Sequence, residues 1–140
     1  MKMKYASLLC VLSLLLLANT CRKNETFESQ LLQRTWLHSF EEDQADVLTY
    51  RPNNYDFPPS RGRTGFLLEK GGIIKEYNIA PTDGLEERIG HWEFTDNKQI
   101  LVTFKTDDQP EERYIIDVIS LKDNMLKLRK EPATETEAEN

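Results

Sequence analysis

Hydrophobic and polar residues alternate along most of the chain beyond residue 34, a pattern typical of strands that bury one face. Eight short segments of this kind are predicted as strands, at residues 35–40, 47–50, 64–68, 73–79, 89–94, 99–104, 113–121 and 125–129. Turn-forming pairs separate several of them: Gly71 and Gly72, Asp96 and Asn97, Asp123 and Asn124. Apart from one turn near residues 28–34, no helix is predicted. The sequence therefore predicts an all-β fold, a single antiparallel up-and-down meander that closes into a roughly eight-stranded barrel.

The first 20 residues have the pattern of a secretory signal. Lys2 and Lys4 precede an apolar run over residues 5–18, which is shorter than the roughly 20 apolar residues that a membrane-spanning helix needs. The run ends in L-L-A-N-T-C, and Cys21 resembles the cysteine of bacterial lipoproteins that is acylated and becomes the mature N-terminus. A cleaved signal that leaves Cys21 as an ordinary thiol is the alternative.

The predicted organisation has four parts. Residues 1–20 are the lipoprotein signal peptide, 21–30 the lipidated cysteine and a polar tether, 31–130 the barrel, and 131–140 a disordered acidic tail. If the signal is removed, Cys10 leaves with it, and acylation of Cys21 leaves no thiol. That excludes a disulfide, a cysteine zinc site and a thiol nucleophile, so the hydrophobic core alone must hold the domain together.

Charge argues against a nucleic-acid partner. The whole chain has 18 basic and 24 acidic residues, and loss of Lys2 and Lys4 with the signal leaves 16 against 24, a net charge of about −8. Phosphate backbones bind surfaces of the opposite sign, so no nucleic acid is expected to bind. Attachment to a bilayer would come from acyl chains on Cys21 rather than from a basic patch.

Two tryptophan motifs give the chain a family resemblance. The first predicted strand begins L-L-Q-R-T-W at residues 31–36, with Arg34 in place of a glycine, and G-H-W occurs at residues 90–92. Over residues 31–129 the chain resembles the lipocalin-like proteins, in particular small lipocalin-like lipoproteins of Gram-negative bacteria. The resemblance implies a barrel with an open end that can hold a small apolar ligand, and it implies no enzyme chemistry. Both tryptophans are expected to pack in the core, where such a ring can plug the closed end.

No catalytic residue, metal site or cofactor is predicted. Alternation places His38 on the same inward face as Trp36 and turns His91 outward, so the two imidazoles should not share a site. The acidic residues 41–43 lack the spacing of a calcium loop and should form a solvated turn. The usual catalytic and phosphate-binding signatures do not occur in the sequence. His38 is expected to be a hydrogen-bonded core residue, and a hydrolase or isomerase that uses His38 is a distant alternative.

Residues 50–66, Y-R-P-N-N-Y-D-F-P-P-S-R-G-R-T-G-F, form the candidate binding segment. Arginines beside aromatic rings suit a carboxylate, sulfate or phosphate on a partly apolar ligand. The predicted ligand contacts are Arg51, Tyr55, Phe57, Arg61, Arg63, His38 and Asp83. The alternative is structural. In that case the arginines pair with the protein's own acids, at positions 41–43 or 83, and fix the segment as a lid across the barrel mouth, which Tyr55 and Phe57 plug.

These observations predict a lipoprotein of a Gram-negative cell envelope, anchored in the outer membrane through acylated Cys21. Its barrel is expected to bind, at the mouth, a small, partly apolar and anionic ligand or an envelope protein. The alternative is a structural or interaction lipoprotein with a filled barrel and no ligand. A solvent-open cavity of at least ~300 Å³ would favour the first function, and a solid interior the second.

Overall fold

The computed structural model of the protein describes residues 26–82, 84–96 and 98–133. Within these ranges the elements are α1 (Phe27–Leu31), β1 (Thr35–His38), a 3₁₀ turn (Phe40–Glu42), β2 (Leu48–Pro52), β3 (Gly65–Glu69), β4 (Ile73–Ile79), β5 (Leu85–Asp96), β6 (Gln99–Thr106), β7 (Gln109–Lys122) and β8 (Met125–Pro132). The eight strands form a closed antiparallel barrel, which confirms the predicted fold class. No helix among the described residues is long and apolar enough to cross a membrane.

Strand order departs from the order in sequence at one place. Strands β3 to β8 follow one another as neighbours, but β1 lies between β2 and β3, and β2 pairs with β8. Because β2 and β3 are both antiparallel to β1, they run parallel to each other, and parallel neighbours of a shared strand need a crossover connection. Residues 53–64, which we call the crossover segment, make this connection. They run from beside Thr35 to beside His38.

Turn chemistry explains the tight hairpins. Asp123 and Asn124 join β7 to β8 with φ angles of 53° and 55°, the left-handed conformation that a two-residue hairpin turn requires. Gly71 and Gly72, with φ of 97° and 85°, turn the chain between β3 and β4. Both pairs lie where the sequence predicted turns. Asn97 of the third predicted pair lies outside the described residues.

The short helix α1 closes one end of the barrel. Thr26 caps it by accepting a hydrogen bond from the Ser29 amide at 3.3 Å. Leu31 is almost fully buried, and its carbonyl accepts a hydrogen bond from the indole of Trp36 at 3.0 Å. Trp36 is itself completely buried, as predicted for a ring that plugs the closed end. We call the opposite end, where β4 passes into β5, the open end.

The half of the interior nearer α1 is filled with apolar side chains. Its fully buried members include Trp36, Leu68, Ile74, Ile100, Val102 and Leu126. Trp92 packs against this core but stays half-buried, and its indole donates to the Glu69 carbonyl at 3.0 Å. Space for a ligand inside the barrel is therefore expected nearer the open end.

Several predicted features fall on or beyond the limits of the described residues. The signal peptide, Cys21 and Asp83 lie outside them, as do residues 134–140 of the predicted tail. Residues 27–30 of the predicted tether belong to α1, and residues 131–132 of the predicted tail belong to β8.

Candidate functional site

Two arginines of the predicted binding segment contact acidic residues of the 3₁₀ turn. Arg51 donates from Nε and Nη2 to the two carboxylate oxygens of Glu42, at 2.8 and 2.6 Å. Arg63 donates from Nη2 and Nη1 to the two oxygens of Glu41, at 2.6 and 2.9 Å, and Nη1 also donates to the His38 carbonyl at 3.0 Å. These are the contacts of the structural alternative, in which the arginines pair with the protein's own carboxylates.

Both ion pairs lower the pKa of the acidic partner. The hydrogen bond from Arg51 holds the pKa of Glu42 at about 2, and the hydrogen bond from Arg63 lowers the pKa of Glu41. The same hydrogen bonds raise the pKa of each arginine. All four groups are therefore charged throughout the neutral pH range, and the pairs stay intact there.

The other predicted contact residues differ in their surroundings. The Arg51 guanidinium lies 4.7 Å from the ring centre of Tyr55, and the Arg63 guanidinium lies 4.5 Å from that of Phe57. The two rings meet edge to face, with centroids 5.0 Å apart. Arg61 is exposed and forms no ion pair with any residue in the described ranges.

The crossover segment starts beside Thr35 and ends beside His38, and a β-carbon on Gly62 would lie 3.8 Å from Ile79 at the open end of β4. The role of the segment as a lid across the barrel mouth stays a prediction. Because β1 lies between β2 and β3, the connection must pass β1 from one end of the strand to the other. Leu37, which points away from the core, is shielded only in part. The geometry favours a structural role for this segment, and ligand binding by its residues stays a prediction.

His38 faces inward, as alternation with Trp36 predicted, and His91 is exposed. The imidazole Nε2 of His38 lies 2.8 Å from the Asp43 carboxylate, which also accepts a hydrogen bond from the Thr49 amide at 2.7 Å. The ring stacks on Tyr50, with centroids 5.1 Å apart. A nearby carboxylate is one requirement of the hydrolase or isomerase alternative. The stacking of the His38 ring on Tyr50 and the hydrogen bond from Thr49 to Asp43 are in keeping with the prediction that His38 is a hydrogen-bonded core residue.

A second charged cluster, which the sequence analysis did not single out, lies inside the barrel towards the open end. Its centre is Glu76 on β4, two residues after the buried Ile74 and only 8% exposed at its side chain. Glu76 accepts hydrogen bonds from Arg88 Nε at 2.7 Å and from the Tyr114 hydroxyl at 3.1 Å. Lys130 Nζ lies 3.3 Å from the same carboxylate. Strands β5, β7 and β8 thus converge on one buried acid.

Aromatic rings form the floor of this cluster. Lys130 Nζ lies 5.2 Å from the ring centre of Tyr114, 5.9 Å from that of Phe66 and 6.0 Å from that of Tyr50. Burial, and then the charge of Glu76, raises the pKa of both Tyr114 and Tyr50. Both phenols therefore stay protonated at neutral pH, and Tyr114 remains a hydrogen-bond donor.

Arg88 joins the buried acid to the rim. Its Nη1 and Nη2 donate to the two carboxylate oxygens of Glu112, at 2.6 and 3.1 Å, while Nε bonds Glu76. The guanidinium lies 3.9 Å from the ring centre of Phe104, which can sit there because residue 90 is glycine. A β-carbon on Gly90 would approach the Phe104 ring to 2.6 Å.

Two cavities open beside this cluster. One, of about 410 Å³, is lined by Glu76, Arg88, Glu112, Arg113, Tyr114, Lys130, Glu131 and Pro132. The other, of about 460 Å³, is lined by Glu86, Arg88, Ile89, Phe104, Lys105, Thr106, Gln109, Pro110 and Glu112. Each exceeds the ~300 Å³ that a small-molecule site usually needs. Together with the cluster they form what we call the open-end site.

Within the described ranges, no group of three or more His, Cys, Asp or Glu side chains is placed to hold a metal ion. Comparison of the chain with known protein families, with curated proteins and with solved structures finds no match. Interpretation of the open-end site therefore rests on its own geometry and charge.

Proposed function

We propose that this chain is an exported lipoprotein with a lipocalin-like barrel that binds a small, anionic and partly apolar ligand at the open-end site. In this proposal acylated Cys21 anchors the protein in the outer membrane of a Gram-negative cell. No residue is assigned a catalytic role. The observation that supports ligand binding is the change of the barrel interior from apolar near α1 to charged and aromatic beside cavities of about 410 and 460 Å³.

The preference for an anion comes from Lys130. Its side chain is 29% exposed and lines the 410 Å³ cavity, and Glu76 is the one acceptor of its ammonium group among the described residues. An ammonium group has three donors, so Lys130 can bind a ligand anion without releasing Glu76. The rings of Tyr114, Phe66 and Tyr50 beneath it exclude water from one side, which strengthens a charge-assisted hydrogen bond there.

Native mass spectrometry of the protein purified from its own host tests the proposal. The wild-type protein should retain a small molecule, and the Lys130→Met variant should lose it while keeping its far-ultraviolet circular dichroism. Arg61→Ala is the matched control, because it removes a cation from the exposed crossover segment. If Arg61→Ala loses the molecule and Lys130→Met retains it, the ligand binds at the crossover segment instead.

A structural or interaction lipoprotein without a ligand is the second candidate. It is favoured by the filled half of the barrel and by three exposed apolar residues on β4 and β5: Ile79 at 49%, Leu85 at 68% and Ile89 at 60%. Replacement of Leu85 by Lys would then abolish co-purification of an envelope protein. The same substitution should leave a ligand in the 410 Å³ cavity undisturbed.

A further inference from the structure

One ion pair borders both cavities of the open-end site. Of the residues that the structure describes, Arg88 and Glu112 alone line both the 410 Å³ and the 460 Å³ cavity. Their side chains meet through two hydrogen bonds, at 2.6 and 3.1 Å. Movement of the Glu112 side chain away from Arg88 would therefore join the cavities into one groove that passes over the guanidinium.

The two carboxylates on Arg88 differ in how firmly they are held. Glu76 has an 8% exposed side chain and three partners, Arg88, Tyr114 and Lys130. Glu112 is 55% exposed, and Arg88 is its one hydrogen-bonding partner among the described residues. Release of Glu112 into water would regain most of its hydration, whereas separation of Arg88 from Glu76 would remove a cation from a buried charge. Glu112 is thus the exchangeable partner of Arg88.

The groove has a charged part and an apolar part. In the 410 Å³ cavity the Lys130 ammonium group offers donors beside Arg88, while the Tyr114 hydroxyl already donates to Glu76. In the 460 Å³ cavity Ile89, Phe104 and Pro110 offer apolar surface on the other side of the same guanidinium. A molecule with one carboxylate and a short hydrocarbon chain matches both surfaces at once.

We propose that Glu112 is a built-in substitute for the ligand, and that a carboxylate with a short apolar chain binds Arg88 by displacing it. This inference rests on the proposed binding function of the open-end site. Exchange of one carboxylate for another keeps Arg88 paired throughout. The Arg88 hydrogen bonds lower the pKa of Glu112 further below its ordinary value, so Glu112 is a charged competitor at neutral pH.

Glu112→Gln tests the inference, because it weakens the internal competitor without changing its shape. Glu87→Gln is the matched control. It removes one negative charge next to Arg88 in sequence, but Glu87 alternates to the outer face and is exposed. The probes are hexanoate and hexanol, which share a chain and differ in charge. Binding to the purified full chain is followed by amide NMR, which also locates the site.

Hexanoate should bind Glu112→Gln about threefold to fivefold more tightly than wild type, in keeping with the modest strength of an exposed ion pair. Hexanol affinity should not change, and Glu87→Gln should behave as wild type towards both probes. An unchanged or weaker hexanoate affinity in Glu112→Gln overturns the inference, as does an equal gain for hexanol. If hexanoate still shifts the amides of Arg88 and Lys130 in that case, the open-end site itself stands. If it shifts neither amide in any variant, the proposed function fails as well.

Discussion

Arg63 holds Glu41 through two hydrogen bonds of 2.6 and 2.9 Å, and its own side chain is only 6% exposed. The guanidinium lies between the rings of Phe40 and Phe57, 4.7 and 4.5 Å from their centres. It also donates to the Pro58 carbonyl at 2.9 Å. One arginine thus ties the crossover segment to the turn that follows β1.

Replacement of Arg63 by Ala should therefore destabilise the fold, whereas replacement of Arg61 should not. Loss of the Arg63 guanidinium leaves Glu41 and the Pro58 carbonyl without these donors. It also removes the cation that packs against the rings of Phe40 and Phe57. Urea unfolding should show a clearly lower midpoint for Arg63→Ala and a midpoint close to wild type for Arg61→Ala. Equal midpoints for the two variants would show that the contacts of Arg63 do not stabilise the crossover segment.

The Arg51–Glu42 pair predicts a loss of stability in acid. The pKa of Glu42 is about 2 in the folded protein, against an ordinary value of 4.5. Because the folded pKa is lower, the unfolded state takes up the proton first, so the stabilisation is complete above about pH 4.5 and is lost as the pH falls towards 2. Solvent reaches this pair, so we expect a contribution of about 1 kcal/mol. Glu42→Gln should show a shallower decline of unfolding free energy over this range, and a decline identical to wild type would contradict the assignment.

Substitution by alanine should destabilise the fold at Gly65 but not at Gly62, although the two glycines are only three positions apart. A β-carbon on Gly65 would overlap the Trp36 carbonyl oxygen and approach the Leu37 side chain to 2.9 Å. On Gly62 it would meet only Ile79, at an ordinary contact distance of 3.8 Å. Gly65→Ala should cost about 2–3 kcal/mol or more, while Gly62→Ala should stay within about 0.5 kcal/mol of wild type. Thermal melting of both variants checks this, and a stable Gly65→Ala would mean that β1 and β3 do not pair as closely as described.

The proposed anchor predicts where the protein is found in the cell. Wild type should sediment with membranes and carry acyl chains on Cys21, detected by mass spectrometry of the N-terminal peptide. Cys21→Ser should lack those acyl chains, because acylation requires the thiol. An unmodified Cys21 at the mature N-terminus of a protein that does not sediment with membranes would refute the lipoprotein proposal.

Local pattern predicted the strands and turns because each depends on neighbouring residues. Period-two alternation identified eight strands, and Asp123 and Asn124 identified a hairpin by their tolerance of positive φ. The position of β1 between β2 and β3 could not be predicted in this way, since it depends on pairing between distant segments. That pairing makes the crossover segment pass β1 from one end of the strand to the other.

The open-end site likewise depends on contacts between distant segments, which local pattern does not predict. Glu76 alternates in phase with the buried Ile74, and Lys130 with the buried Leu128, so inward-facing charges were visible in the sequence. A charged residue in phase with core positions is the signal that could have identified the site. Alternation alone could not show that Glu76 and Lys130, 54 positions apart, meet across the barrel.

The most direct test of the central claim compares hexanoate binding by two variants that each lose one cation. Lys130→Met removes the ammonium group inside the open end, and Arg61→Ala removes a guanidinium from the crossover segment. If the open-end site binds the ligand, Lys130→Met should weaken hexanoate binding by about tenfold or more, and Arg61→Ala should leave it unchanged. Unchanged binding by Lys130→Met together with a loss in Arg61→Ala would contradict the account.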